Sequence, residues 1–442
     1  MKTIPLRLVF RLALVGMVFL FAIFFLFYPA AVTVRLALDA QFRRTGESAL
    51  TVTWFESVAA RYESWAGRFL QSRFAAGLEL DNVAATEWPM FGSVFFLVTA
   101  EDLQRQGRID ATCGVLRRAV DKAAEVVVSP DTASWVRQKW GPGYLERENL
   151  FYRMLLILGL SSFENITGDT RHHEIMSRQR AQLAAELTAA PRHLLDDYPG
   201  ECYPTDILWA VTALQRAARL DGTNYDDLAR SLMTAFDGSL RAPEGLPGFQ
   251  ADAASGRLLQ NARGCGNSGI LIFAPELDPV IASKWYQNYE ARYWKTSAWL
   301  SGFSEMPRGS RNGFMDVDSG PVWFGLGSVA SAFGIGAARA SGRLDHAVPL
   351  TLEAVACSWP TPFGTLLPGL MGHLAARGAC LGDVALLFSM TRPVGSDVVP
   401  FTGPIPRVVW LLPVIWITLG ILIVVGEIPG LRREWRRQAR VQ

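Results

Sequence analysis

The chain has 442 residues, half of them apolar and 19% charged, with 43 basic residues against 41 acidic ones. That excludes a disordered or collagen-like chain and leaves ample material for a large core. A formal charge of +2 gives no footprint for nucleic acid, so no such partner is expected.

The first predicted element runs from Leu12 to Val34, uncharged throughout, between Lys2, Arg7 and Arg11 on one side and Arg35 on the other. A helix of that length spans a bilayer. The run is too long for the apolar region of a cleaved signal and no clean A-x-A site follows, so an uncleaved anchor is expected. Val408 to Gly426 reads as a second span, with Trp410 and Trp416 in its outer half, where amphipathic rings suit the interface. Arg432, Arg433, Arg436, Arg437 and Arg440 follow it. Both runs carry the stronger basic flank on the terminal side. The positive-inside rule then puts residues 1–11 and 427–442 in the cytoplasm and residues 36–406 outside, which in a bacterium means an inner-membrane protein with a periplasmic domain. The ends are net positive by six and the part between them net negative by four. The basic tail reads as a topology determinant, with anionic lipid binding as the sharper alternative.

Between the spans, helix-period stretches alternate with Gly and Pro punctuation, which predicts an all-α domain. Helices are expected at 48–73, 90–106, 111–127, 132–140, 148–161, 170–189, 204–219, 224–237, 267–274, 280–295, 320–341, 345–357 and near 380–391. Many read as pairs: ENLFYRMLLILGLSS is apolar nearly all round, whereas TRHHEIMSRQRAQLAAEL is amphipathic. Apolar inner helices alternating with polar outer ones suit a two-layer toroid, and six such hairpins make an (α/α)6 barrel with one funnel. No clear 34- or 40-residue repeat favours the alternative solenoid. Cys113, Cys202, Cys265, Cys357 and Cys380 lack metal-ligand spacing, and His172–His173 reads as a solvated helix start, so no metal centre, disulfide framework or cofactor is expected.

The irregular stretches are where polar chemistry can sit. In ATEWPMFGSVFF, Glu87 and Trp88 precede Pro89: a first-turn carboxylate that suits the helix dipole, or an aromatic–carboxylate pair for sugar binding. In WGPGYLERENLFY, Trp140 and Tyr144 flank a Gly-Pro-Gly turn, and Glu148 introduces an apolar helix as a cap or as a functional carboxylate. LLDDYPGECYPTDILWAV crowds Asp196, Asp197, Tyr198, Glu201, Tyr203 and Asp206 into one turn and helix start, more carboxylates than one cap requires. Crowded carboxylates push their pKa values apart, so that one stays protonated as an acid while another serves as base. ARGCGNSG places Arg263 and Cys265 in a Gly-rich turn, where Cys265 reads as pocket-lining in the absence of a partner histidine. SEMPRGSRNGFMDVDSGPVWFGLG carries Glu305, Arg308, Asp316 and Asp318; the two aspartates could share a ligand such as calcium, although an EF-hand pattern is missing. The small-residue run GLGSVASAFGIGAARASG after it reads as a closely packed helix.

ENLFY at Glu148–Tyr152, GDTRHHE, DDYPGECYPTDILW, LDGTNY and LDP at Leu277–Pro279 follow one another in an order and spacing that resemble the linalool dehydratase/isomerase family over residues 85–390. The resemblance implies an (α/α)6 catalytic domain, and a homo-oligomer, since the family's active site lies near a subunit contact. It also implies a changed chemistry. The family's two active-site cysteines fall on Asp197 and Asp206, its histidine on Leu155, and a tyrosine on Cys265.

Three readings follow. The first is a membrane-tethered enzyme acting on a glycan or lipid-linked saccharide, with Asp206 and Asp197 as acid and base and Glu148 or Asp318 as partner. Glu87, Trp88, Trp140, Tyr144 and Tyr198 would bind the sugar, Arg263 or Arg308 would hold an anionic group, and Asp316 and Cys265 would lie around it. The second is a hydro-lyase or isomerase of an allylic or terpenoid alcohol, which requires a narrow apolar pocket. The third is a non-catalytic envelope scaffold.

Overall fold

The structure, a computed structural model, describes residues 6–73, 75, 83–310, 315–368 and 380–441. It is mostly helical. The N-terminal apolar run forms one continuous rod: α1 (Leu6–Ala22), a π-turn (Ile23–Phe27) and α2 (Tyr28–Leu38). Asp39 stops it and caps the short α3 (Ala40–Thr45), accepting from the Gln41 and Phe42 amides. Then come α4 (Ala49–Ser72), α5 (Val83–Arg105), α6 (Gly114–Val128), α7 (Ser134–Trp140), α8 (Leu150–Thr167), α9 (His173–Ala189), α10 (Pro204–Ala218) and α11 (Asp226–Asp237). The second half comprises α12 (Gly264–Leu277), α13 (Pro279–Tyr293), α14 (Ser328–Ala340), α15 (Leu344–Ser358), α16 (Leu381–Thr391) and α17 (Arg407–Val441).

Four antiparallel hairpins interrupt this helical order: β1–β2 (Gln250–Asp252, Arg257–Gln260), β3–β4 (Trp294–Thr296, Ser301–Phe303), β5–β6 (Val322–Trp323, Leu326–Gly327) and β7–β8 (Pro360–Thr361, Gly364–Thr365). Their strands are too short for an alternating pattern to register. The third explains why α14 starts at Ser328 and not near 320: Phe324 and Gly325 both take positive φ, which no helix accepts. Two further boundaries differ from the periodicity. Helix α5 begins before Pro89, which lies inside it, and α8 runs on to Thr167 and a left-handed Gly168.

Helix α8 packs on α5 and on α10, α10 on α12, α12 on α14, α14 on α16, and α16 returns to α5. Helices α8, α10 and α12 are buried on nearly every face, as an inner position demands. The amphipathic partners lie outside: α6 on α5 and α8, α9 on α8 and α10, α11 on α10, α13 on α12, α15 on α14. Small residues bring α14 close to its neighbours. A Cβ on Gly334 would stand 2.5 Å from Phe303 Cδ2, so Gly334→Ala should lower stability by about 1–3 kcal/mol, read as a fall in unfolding midpoint, and a smaller side chain at Phe303 should recover part of it.

Along the axis, Phe95 of α5, Trp209 of α10, Phe273 of α12, Phe333 of α14 and Phe388 of α16 form an aromatic layer, with Phe95 and Phe388 stacked at 4.7 Å and Trp209 edge-on to Phe273 at 4.8 Å. Beneath it lies a buried ion network. Arg216 of α10 binds Glu276 of α12 at 2.7 and 3.0 Å, and Arg392, next to α16, binds Glu276 at 2.6 Å and Asp102 of α5 at 2.8 Å. Ser162 of α8 donates to Glu101 at 2.7 Å, and Arg339 of α14 donates to the Arg392 carbonyl at 2.7 Å. Burial alone would raise Glu276, yet the two guanidiniums hold it down at about 2; at Asp102 burial wins over the same cations and the carboxyl is raised.

Both terminal rods, Val9–Leu38 and Arg407–Arg433, are long and apolar enough to cross a membrane, with mean hydropathy of 2.6 and 2.8. They run antiparallel: Arg11 pairs with Glu427, Ala22, Leu26 and Ala30 cluster with Trp416, and Gly420 lets Phe27 approach. Trp416 is therefore a buried packing residue, 3% exposed, and not the interfacial anchor its position in the sequence suggested.

Candidate functional site

A cavity of about 990 Å³ opens at the end of the domain where α5, α8, α10, α12, α14 and α16 begin, and Phe95 and Phe333 of the aromatic layer floor it. Because these helices start together, residues of their first turns and preceding loops converge there.

The turn before α10 is built tightly. The Asp197 amide donates to the Glu201 carbonyl at 2.7 Å, Gly200 supplies the positive φ, and Asp196 accepts from the Gly200 amide at 2.7 Å. Asp197 is thereby sunk to 1% exposure, with Oδ2 accepting from the Tyr203 amide at 3.0 Å and Oδ1 left without a hydrogen bond. Pro204 starts α10 without needing an amide partner, and Asp206 enters the cavity from the first turn. Glu87, from the opposite side on α5, accepts from the Tyr198 hydroxyl at 2.7 Å. Asp318 and Glu201 complete the cluster, and Cys265, at the start of α12, donates from Sγ to Glu305 at 3.1 Å.

Glu87, Trp88, Asp197, Tyr198, Asp206, Cys265 and Asp318, all singled out from the sequence, line this one cavity. Six others do not. Glu148 sits with Asn149 in a left-handed turn (φ 42° and 46°), its carbonyl accepting from Arg153 and its amide donating to Glu186. It shapes the backbone that the Asp196 carbonyl then grips through the Leu150 amide, a structural duty in place of the catalytic one expected. Trp140 braces the turn from behind by donating to the Asp197 carbonyl at 3.1 Å, and Tyr144 packs on Tyr152. Arg263 is held by Glu305 at 2.8 Å and by Asp316, both oxygens, at 2.8 and 3.0 Å, so neither it nor Asp316 faces the cavity. Asp316 Oδ1 also accepts from the Asp318 and Ser319 amides, so the two aspartates form a local turn and do not share a ligand. Arg308 is spent on the Trp294 carbonyl.

Glu201, Tyr203, Glu353 and Lys139 are lining residues left out of that set, together with several serines and a threonine. Glu201 and Tyr203 lie in the crowded segment itself. Glu353 was hidden as a lone carboxylate beyond the first turn of a largely apolar helix, which reads as packing; it accepts from the Ser301 amide and hydroxyl at 2.9 and 2.7 Å. Aliphatic and aromatic side chains make most of the remaining wall, among them Phe91, Phe151 and Phe249.

Burial raises five of the lining carboxyls. Asp206 is pushed up to about 8 by desolvation and by the charges of Asp318 and Glu87, and Asp197 is raised well above the carboxylate range by burial and then by Asp206. Glu87 rises to about 7 through burial, against the pull of the Tyr198 hydrogen bond, and Glu353 to about 7 for the same reason against Ser301. Asp318 is raised by burial and by Asp316. At neutral pH such a cluster holds protonated and ionised carboxyls side by side, the condition for paired acid and base work. Among the described residues no three His, Cys, Asp or Glu side chains are grouped to hold a metal ion. Neither a protein-family model nor a curated protein matches the chain.

Proposed function

We propose that this protein is a membrane-anchored (α/α)6-barrel enzyme that cleaves a C–O bond of a neutral glycan or lipid-linked saccharide by carboxyl acid/base chemistry. The observation that carries this reading is the convergence of Asp206, Asp197, Glu87 and Asp318 on one largely apolar cavity with raised pKa values. Asp206 donates a proton to the departing oxygen, and Glu87, raised only to about 7 and accepting from the Tyr198 hydroxyl, takes a proton from water or from the substrate in its ionised form. The aromatic wall limits water and strengthens each electrostatic contact. Arg263 is neutralised by Glu305 and Asp316, and among the described residues the exposed Lys139 is the one basic side chain on the wall, so the acidic cluster favours a substrate uncharged at the reacting end. The ring of six mutual packings supports the barrel, as does the resemblance to linalool dehydratase/isomerase: the positions of that family's two cysteines and tyrosine fall on cavity residues, although that of its histidine falls on the core residue Leu155. The antiparallel rods and their basic outer flanks support a two-span anchor with both termini cytoplasmic and the domain in the periplasm.

The same apolar wall favours a second reading, dehydration or isomerisation of an allylic terpenoid alcohol. Both are tested by incubating the full chain in lipid nanodiscs with a glycosyl diacylglycerol and, separately, with an allylic terpene alcohol. Sugar release that falls by about 10²–10⁴-fold in Asp206→Asn supports the first reading. Alkene formation with the same dependence transfers the assignment to the second. No turnover of either substrate, by wild type or variant, sinks both and leaves a scaffold.

A further inference from the structure

The cavity mouth is apolar where a water-facing site would be polar. Val317, Trp323, Phe324 and Leu367 line the cavity and are also 57%, 67%, 93% and 48% exposed, which places them at its rim. Phe324 stands at the tip of the β5–β6 hairpin in a two-residue turn where both central residues have positive φ, 53° for Phe324 and 78° for Gly325. Asn, Asp or Gly is the residue such a turn wants, and a bulky side chain there costs on the order of 1–3 kcal/mol. An almost fully exposed phenylalanine held at that cost points to a function for its ring. The β7–β8 hairpin also carries an exposed ring, without the positive φ: Phe363, 59% exposed, sits in its two-residue turn.

The position of that second hairpin relative to the terminal rods is decisive. Phe363 meets Phe24 edge to face at 5.6 Å, and Trp359, just before the hairpin, packs on Trp416 at 5.5 Å. Trp359 also donates its indole N–H to the Phe25 carbonyl at 2.6 Å, within the π-turn that shifts the hydrogen bonding of the rod. Phe24 and Phe25 lie at the middle of the uncharged run Leu12–Val34, and Trp416 at the middle of Val408–Gly426. A hairpin touching the centres of two spanning segments lies at hydrocarbon depth. There its polar groups must be satisfied within the protein, as the Trp359 indole is.

We infer that the mouth of the cavity is set into the outer leaflet, with the two aromatic hairpins among the acyl chains, and that the site takes a single-headed amphiphile sideways from the lipid phase. The inference rests on the membrane reading above and names the substrate class of the same site. The uncharged head reaches the carboxyl cluster, while the hydrocarbon tail lies along Phe333, Leu350, Ala354, Leu381 and Ala385 and leaves past Leu367 into the bilayer.

The test uses the full chain in nanodiscs of phosphatidylethanolamine and phosphatidylglycerol, with Cys113, Cys357 and Cys380 replaced by serine. Spin labels are placed by Phe324→Cys or Phe363→Cys, and by Val280→Cys, 78% exposed at the opposite end of the domain, as the aqueous reference. Labels at the two phenylalanines should collide more with oxygen than with a water-soluble nickel chelate, reversing the order at Val280. Preference for the chelate at both sites, or protection from both agents by a second copy of the chain, overturns the inference. Because a label can disturb a hairpin, the unlabelled wild type is also irradiated with a phosphatidylcholine bearing a diazirine in its tail. Adducts on the peptides spanning 315–331 and 359–368 are expected, and adducts confined to the two rods overturn it. A lipid-facing mouth without Asp206-dependent turnover would remove the catalytic reading alone, and turnover with a water-facing mouth would remove this one alone.

Discussion

Arg392→Ala is expected to destabilise the fold by about 3–5 kcal/mol, because it leaves the Asp102 carboxylate buried without its cation. Asp102 is 1% exposed and its second oxygen makes no hydrogen bond, so of the two guanidiniums acting on it only Arg216, which makes no hydrogen bond to it, is left. The lost packing of the guanidinium over the Phe273 ring, 4.7 Å from its centroid, adds to the cost. The loss should appear as a fall of several degrees in the unfolding midpoint of the detergent-solubilised chain. Removing both charges, Arg392→Met with Asp102→Leu, should recover much of it, since Glu276 keeps Arg216 and no ion is orphaned. A double variant no more stable than Arg392→Ala would show that the network contributes something other than charge compensation. The network has this leverage because it draws residues from α5, α8, α10 and α12 and from the ends of α14 and α16, and so ties the helices together.

The second large effect has the opposite sign. Asp206→Asn should stabilise the protein at pH 8 and, on the proposed function, lower turnover by about 10²–10⁴-fold. A carboxyl raised in the folded state from its ordinary 3.8 to about 8 binds its proton more tightly folded than unfolded. Its contribution is therefore fully present below about pH 4 and is lost as pH rises toward 8. The asparagine has no charge to bury. On the order of 2–4 kcal/mol should be gained at pH 8, allowing for solvent inside the cavity, and nothing at pH 4. Asp197→Asn should behave likewise, with its amide oxygen still accepting from the Tyr203 amide. Unfolding midpoints of wild type and variants at pH 4, 6 and 8 check this, and a constant gap across that range would refute it. Wild-type turnover should fall above about pH 8 as Asp206 loses its proton. Stability surrendered to a crowded carboxyl site is the pattern expected where selection acts on chemistry.

Much of this architecture is written locally. The helix pairs 48–73, 132–140, 204–219 and 224–237 match α4, α7, α10 and α11 within two residues, because caps such as Ser48 and starters such as Pro204 act over one turn. The segment DDYPGECYPTD announced its cluster by composition alone, since four carboxylates in one turn exceed any capping need. What failed were judgements between similar residues. Asp316 and Asp318 are two positions apart, yet only Asp318 lines the cavity, because Arg263, far away in sequence, takes both oxygens of Asp316. Glu148 carried the same local signature as Glu87, but its backbone is tied to Glu186 of α9 and Arg153 of α8, away from the cavity.

The sequence by itself determined the two apolar rods, the alternation of apolar and amphipathic helices, and the presence of an acidic segment at a helix start, because each depends on side chains within a few residues of one another. Only the tertiary structure decided that six helix starts meet at one cavity, that Glu353 belongs to it and Glu148 does not, and that Trp359 and Phe363 reach the middle of the two rods. Those outcomes depend on which cation reaches which carboxylate, and on which loop reaches which span, across separations of tens to hundreds of residues where no local pattern survives.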